Sequence, residues 1–174
     1  MPLNMSTSEQ LNEKAALFQS TQQKLVDQGF RIDKLDQERP WGGFFVINED
    51  QAQAFADYYF GGLDVNQLRI SGKLSPKILL VAPHTRLSWQ YHFRRAEIWT
   101  VVEGTVGVKT SPTDEEGELK TLHQGDTITL QQGERHRLVG LDGWGIIAEI
   151  WQHTDAANPS DENDIVRVQD DFGR

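Results

Sequence analysis

Four residues able to hold a metal cluster at short range in this chain. Gln90, His92 and Glu97 fall within eight residues of LSWQYHFRRAEIWTVVEG, and His136 follows in GDTITLQQGERHRLVG. Along an extended strand alternate side chains share a face, so Gln90 and His92 point the same way, and Glu97 can rejoin them from the next strand after a short turn. Two oxygen donors and two imidazoles form a divalent-metal set. Such donors suit Zn, Fe, Mn, Co or Ni, and affinity alone does not choose among them. One histidine on a strand is more often structural than a ligand. Four donors at this spacing, with Gly104, Gly125 and Gly133 punctuating the turns between them, make a metal site the stronger reading.

The elements that must position these donors read as strands. From Pro76 onward, 77–82, 97–103, 105–110, 119–122, 127–130, 136–139 and 145–151 are of strand length, rich in Val, Ile, Thr and Trp, and separated by Gly, Asp or Pro. Many short strands at close spacing predict an all-β barrel or sandwich. The acidic run SPTDEEGE at 111–118 reads as the solvated tip of a hairpin. Upstream, RPWG at 39–42 sets a turn through the fixed φ of Pro40 and the freedom of Gly42, and 44–47 reads as a short buried strand.

Two stretches have helical character. Residues 1–30 form an extension outside the barrel, with Ser8 as N-cap, an apolar stripe of Leu11, Ala15, Phe18, Leu25 and Val26, and a stop at Gly29. Residues 31–174 form the second unit. Within it, about 50–74 reads as an insertion, helical up to Phe60, that lies near the barrel mouth as a cover or an interface. Residues 152–174 are expected to lack order until DENDIVRVQDDFGR. His84, His123 and His153 read as solvent-facing.

Composition bounds the function. A chain of 174 residues with 37% hydrophobic and 25% charged content is ordinary for one globular domain. No apolar run approaches the ~20 residues of a membrane span, and MPLNMSTSEQ lacks the basic and apolar regions of a secretory signal. The absence of cysteine excludes disulfides and thiolate ligands and is compatible with a cytoplasmic location. A net charge of −9 disfavours nucleic-acid partners, since phosphate backbones need a cationic face. A small anionic sugar would need local arginines, and several flank the metal residues.

The pattern Gln-x-His-x4-Glu-x6-Gly, answered by Gly-x7-Gly-x2-His from Gly125 to His136, resembles the paired motifs of the cupin superfamily. Gln in place of the usual first His, within Leu-Ser-x-Gln-x-His-x2-Arg-x-Glu-x-Trp, resembles the type II phosphomannose isomerase branch, as do RPWG and the closing DIVRVQDDFGR. The resemblance covers about three quarters of the chain. It implies a cupin double-stranded β-helix, or jelly roll, with Gln90, His92, Glu97 and His136 as ligands and zinc as the favoured metal. It implies interconversion of mannose 6-phosphate and fructose 6-phosphate through a cis-enediol, and a homodimer. Arg95 then stabilises the enediolate or holds the phosphate, with Arg137 as second choice although strand parity turns it outward, and Lys77 contacts phosphate or moves a proton. Arg94 stands where the family has His and adds positive charge near the pocket. The alternatives are a cupin acting on another sugar, as a pentose isomerase or a sugar epimerase, or a non-catalytic sugar-binding module. No Gly-rich nucleotidyltransferase signature occurs in these residues, so guanylyltransferase activity is not expected of them.

Overall fold

The computed structural model describes residues 5–69 and 72–173. The chain opens with α1 (Thr7–Asp27), runs through β1 (Ile32–Arg39) and β2 (Gly42–Ile47), then makes a 3-10 turn (Glu49–Gln51), α2 (Ala52–Tyr59) and α3 (Val65–Leu68). Strands follow: β3 (Lys77–Val81), β4 (Trp89–Tyr91), β5 (Arg95–Glu103), β6 (Thr105–Ser111) and β7 (Lys120–His123). The last four are β8 (Thr127–Leu130), β9 (Arg135–Gly140), β10 (Gly145–His153) and β11 (Val166–Gln169). They form two antiparallel sheets, ordered β1-β2-β3-β10-β5-β8 and β11-β4-β9-β6-β7. This is the all-β cupin jelly roll, with an added N-terminal helix and a short helical segment.

Strand alternation sorts the larger sheet into two faces. Leu79, Val81, Trp99, Val101 and Ile147 turn inward and meet Val106, Val108 and Leu138 of the smaller sheet. Their neighbours Ile78, Leu80, Ile146 and Ala148 turn outward, onto Phe18, Leu25 and Phe55 of the helices. Ile98 and Ile150 do the same for Ala52, Ala56, Val65 and Leu68. The 50–74 segment therefore packs on the outer face of the larger sheet and not at the mouth; Ile70 and Ser71 within it lie outside the described residues. Its apolar face is what decides this, because Phe55 needs a partner surface and the outward isoleucines supply one.

The N-terminal helix begins two residues earlier than its sequence indicates. Ser6 caps it, accepting from the Glu9 amide at 3.2 Å while the Glu9 carboxylate accepts from the Ser6 amide at 2.9 Å. Only Phe18 and Leu25 of the expected stripe are buried; Leu11 and Val26 face solvent. At the RPWG turn the Trp41 carbonyl accepts from Ala82 N at 2.8 Å and Thr85 Oγ1 at 3.1 Å. Gly42, at φ +139°, could not be replaced: a Cβ there would lie 1.9 Å from the Leu80 carbonyl oxygen.

Three further expectations change. Residues 154–165 are ordered, with Ser160 and Asp164 buried. His153 is buried too, its Nδ1 accepting from Ser160 N at 3.1 Å, whereas His84 and His123 are exposed. The 111–118 hairpin is more than a solvated tip: Asp114 pairs with Arg135 at 2.9 Å, and Glu116 pairs with Arg137. The tail adds a strand, β11, onto β4.

Candidate metal centre and its cavity

Three strands converge on the site. Gln90 sits on β4, His92 just after it, Glu97 on the inward face of β5, and His136 on β9 directly across from Gln90. His92, Glu97 and His136 are each buried and offer ligand atoms that all lie within 4.8 Å of one another. Glu97 is the hinge of the group. Its Oε2 lies 3.3 Å from His92 Nε2, and its Oε1 lies 3.5 Å from His136 Nε2.

The outer nitrogens of both rings are held by backbone. His92 Nδ1 meets the Asp164 carbonyl at 2.6 Å, and His136 Nδ1 meets the Glu134 carbonyl at 3.2 Å. Donation from Nδ1–H to those carbonyls leaves each Nε2 as a lone pair aimed at the cluster, the arrangement a metal-binding imidazole needs. His136 Nε2 is a buried polar atom with no hydrogen-bond partner among the described residues. An orphan acceptor beside a carboxylate and a second imidazole fits a divalent cation, and these three residues could hold one. Gln90 lines the cavity that Glu97 also lines, and its side-chain oxygen is a donor type that suits the same ions.

Burial governs the titration here. It pushes the His92 imidazole down to about 4 against the pull of Glu97, so the ring is neutral and able to ligate. Burial would raise Glu97, but His92, Arg95 and His136 outweigh it and hold that carboxyl well below the ordinary carboxylate range. Glu149, on β10, is buried at the cavity wall. Burial and then the charge of Glu97 push it up to about 8.

Arg95 braces the cluster. Its Nε donates to Glu97 Oε2 at 3.0 Å, and one terminal nitrogen donates to Ser160 Oγ at 3.0 Å and the Asp161 carbonyl at 2.9 Å. The other terminal nitrogen lies 3.4 Å from His92 Nε2, and the guanidinium stacks on Trp151 with its carbon 3.8 Å from the ring centroid. The Trp99 indole donates to Glu149 Oε1 at 3.1 Å.

A cavity of about 530 Å³ opens over these groups. Gln90, Arg95, Glu97, Trp99 and Glu149 lie on its lining, with Lys77 and Trp151 beside them and Trp41, Phe44 and Leu79 as apolar wall. Lys77 is nearly buried, its Nζ 2.7 Å from Glu162 and 4.5 Å from the Trp151 centroid.

Two arginines lie elsewhere. Arg137 is fully buried but turned away from the cluster, its guanidinium bonded to the Leu87 carbonyl at 2.8 Å, to Glu116 and to Gln169. Strand parity explains this, since its neighbour His136 takes the inward position. Arg94 bonds Asn158 Oδ1 and the Pro159 carbonyl, both at 2.9 Å, and so ties down the loop before β11 and does not line the cavity. Glu149 was not among the sequence candidates, although a lone carboxylate in the apolar run GWGIIAEIW is a signal that could have found it.

A mannose-1-phosphate guanylyltransferase of Salmonella montevideo is 32% identical over 151 residues, covering 87% of this chain and 26% of that protein. One of Escherichia coli (strain K12) is 33% identical over 98 residues, 56% of this chain and 19% of that protein. The chain thus spans about a quarter or less of these relatives. Among solved structures, hazelnut (Corylus avellana) vicilin aligns with a TM-score of 0.53 at 17% identity, over 80% of this chain and 36% of that one. Bacillus subtilis oxalate decarboxylase gives 0.54 at 15%, over 78% and 30%. At those identities the likeness is one of fold. Residues 48–170, which carry β3 to β11 and all four candidate ligands, match the family model described as mannose-6-phosphate isomerase C-terminal, and the chain belongs to that family.

Proposed function

We propose that this chain is a metal-dependent aldose–ketose isomerase that interconverts mannose 6-phosphate and fructose 6-phosphate. The observation that carries the reading is the cluster of His92, Glu97 and His136, whose Glu97 lines one cavity together with Gln90, in a chain of this family. A divalent ion held there, zinc by family resemblance, would polarise the sugar oxygens and lower the cost of negative charge on them.

The rest falls to the chain's own side chains. Isomerisation takes a proton from C2, passes through a cis-enediol and returns a proton to C1. Glu149 is the carboxyl that faces the cavity beside the cluster, with Trp99 orienting it, and we assign it the proton transfer. Lys77, opposite Glu149 in strand register and on the same lining, is the cationic partner for the shifting oxygen charge. Arg95 acts by positioning Glu97, and Arg137 by holding Gln169 of β11. Trp41, Phe44 and Leu79 keep water from the enediol. We further propose a cytoplasmic homodimer; light scattering at working concentration should return about twice the 19.8 kDa chain mass, and the monomer mass would refute it.

The direct test is a coupled assay with mannose 6-phosphate on protein as purified, after chelation, and after return of zinc, manganese, cobalt or nickel. Activity lost on chelation and restored by one metal is the expected result. Stoichiometric metal without turnover would refute this substrate and leave the metal site standing.

A further inference from the structure

Strand register places two rows of side chains face to face across the cavity. Directly opposed residues of an antiparallel pair share a sheet face, so register identifies each row. In the larger sheet Lys34 pairs with Val46, Val46 with Lys77, Lys77 with Glu149 and Glu149 with Trp99. In the smaller sheet Arg167 pairs with Gln90, and Gln90 with His136. Each row starts with a cation on an edge strand, β1 or β11, and runs inward to the reactive groups. Both Lys34 and Arg167 line the cavity.

The other cations on that lining are engaged. Arg95 pairs with Glu97, Lys77 with Glu162, and Arg39 with Asp36. Lys34 and Arg167 form no ion pair among the described residues; Lys34 rests its ammonium 5.6 Å from the Phe44 ring centroid. In a chain of net charge −9, two unengaged cations facing one mouth are the electrostatic complement of an anion.

We propose that Lys34 and Arg167 form a clamp for the phosphoryl group of the ligand, one cation from each lip of the cavity. The inference rests on the isomerase reading for the identity of the sugar but not for the anion itself. Arg167 stands two strands from His136, about 10 Å at the ~4.8 Å strand spacing. That offset seats the phosphate at one end of an extended sugar and the carbonyl end at the cluster. Lys34 lies upstream of the family-matched residues 48–170, so this half of the clamp is supplied by the β1–β2 hairpin.

The test is calorimetric titration with mannose 6-phosphate, unphosphorylated mannose and inorganic phosphate, on wild type, Lys34→Ala, Arg167→Ala and His136→Ala, each with metal content measured. Wild type should bind mannose 6-phosphate more tightly than mannose. Each clamp variant should weaken mannose 6-phosphate and inorganic phosphate about tenfold at unchanged metal content. Lys34→Arg should retain most of the affinity, and His136→Ala should still bind inorganic phosphate. Clamp variants that bind phosphate like wild type, or a wild type that binds none, would overturn the proposal. A wild type that selects phosphate through these two residues and yet turns nothing over supports the clamp and refutes the isomerase reading.

Discussion

Arg95 Nε donates to Glu97 Oε2 at 3.0 Å, two positions along the same face of β5. The fork therefore points the carboxylate at both imidazoles. Arg95→Lys keeps the charge but loses the planar fork and its stacking on Trp151. Metal affinity should fall roughly tenfold, the size usual for a residue that orients a ligand. Competition with a chromogenic chelator measures it, and unchanged affinity would show that Glu97 needs no brace.

His136→Ala removes the imidazole whose Nε2 is otherwise unpartnered, and metal content and turnover should vanish together. Gln90→Ala removes a neutral oxygen, a weaker donor than imidazole, so occupancy should fall less than for His136→Ala. Elemental analysis after gel filtration separates the two. Full occupancy in His136→Ala would exclude it as a ligand.

Glu149→Gln is close to isosteric and keeps an oxygen for the Trp99 indole. If Glu149 moves the proton, turnover should drop about 10²- to 10⁴-fold with metal bound as before. Isotope exchange from solvent into the sugar C2 position should fall in parallel. Near-normal exchange would remove Glu149 from the chemistry.

The C-terminal strap should loosen in acid. Bonds from Arg86 and Gln169 hold the Asp171 carboxyl far below its ordinary range. A folded-state pKa below the unfolded one adds stability above the unfolded value, near ~4, and that contribution is lost as pH falls through the folded value. The protection of amides 166–173, measured against the intrinsic exchange rate at each pH, should fall as the medium drops below pH ~4. Arg86→Ala should show the lower protection already at neutral pH; equal protection in both proteins at every pH would refute the strap.

Much of this was legible in the sequence where residue type alone decides the outcome. Val, Ile and Trp alternation marked the central strands, and the Gln-x-His-x4-Glu spacing placed the candidate ligands side by side. What escaped was set by partners distant in sequence. β1, IDKLDQER, is too polar to read as a strand, because it pairs on one side only, leaves Asp33 and Leu35 exposed and sets Lys34 at the cavity mouth. The seat of α2 follows from Ile98 and Ile150, far along the chain. Arg94 and Arg137 read as pocket cations because arginines beside ligands invite that reading; their actual anchors, Asn158 and Gln169, adjoin them only after folding.

The first and last strands, β1 and β11, are the two lips of the mouth. During synthesis, the stretch from Gln90 to His136 leaves the ribosome before Glu149 and well before Arg167. Closure of the mouth waits for β11, so a chain cut just before Val166 would keep Gln90, His92, Glu97 and His136, and the Asp164 carbonyl that holds His92, but would lack Arg167 on its second lip.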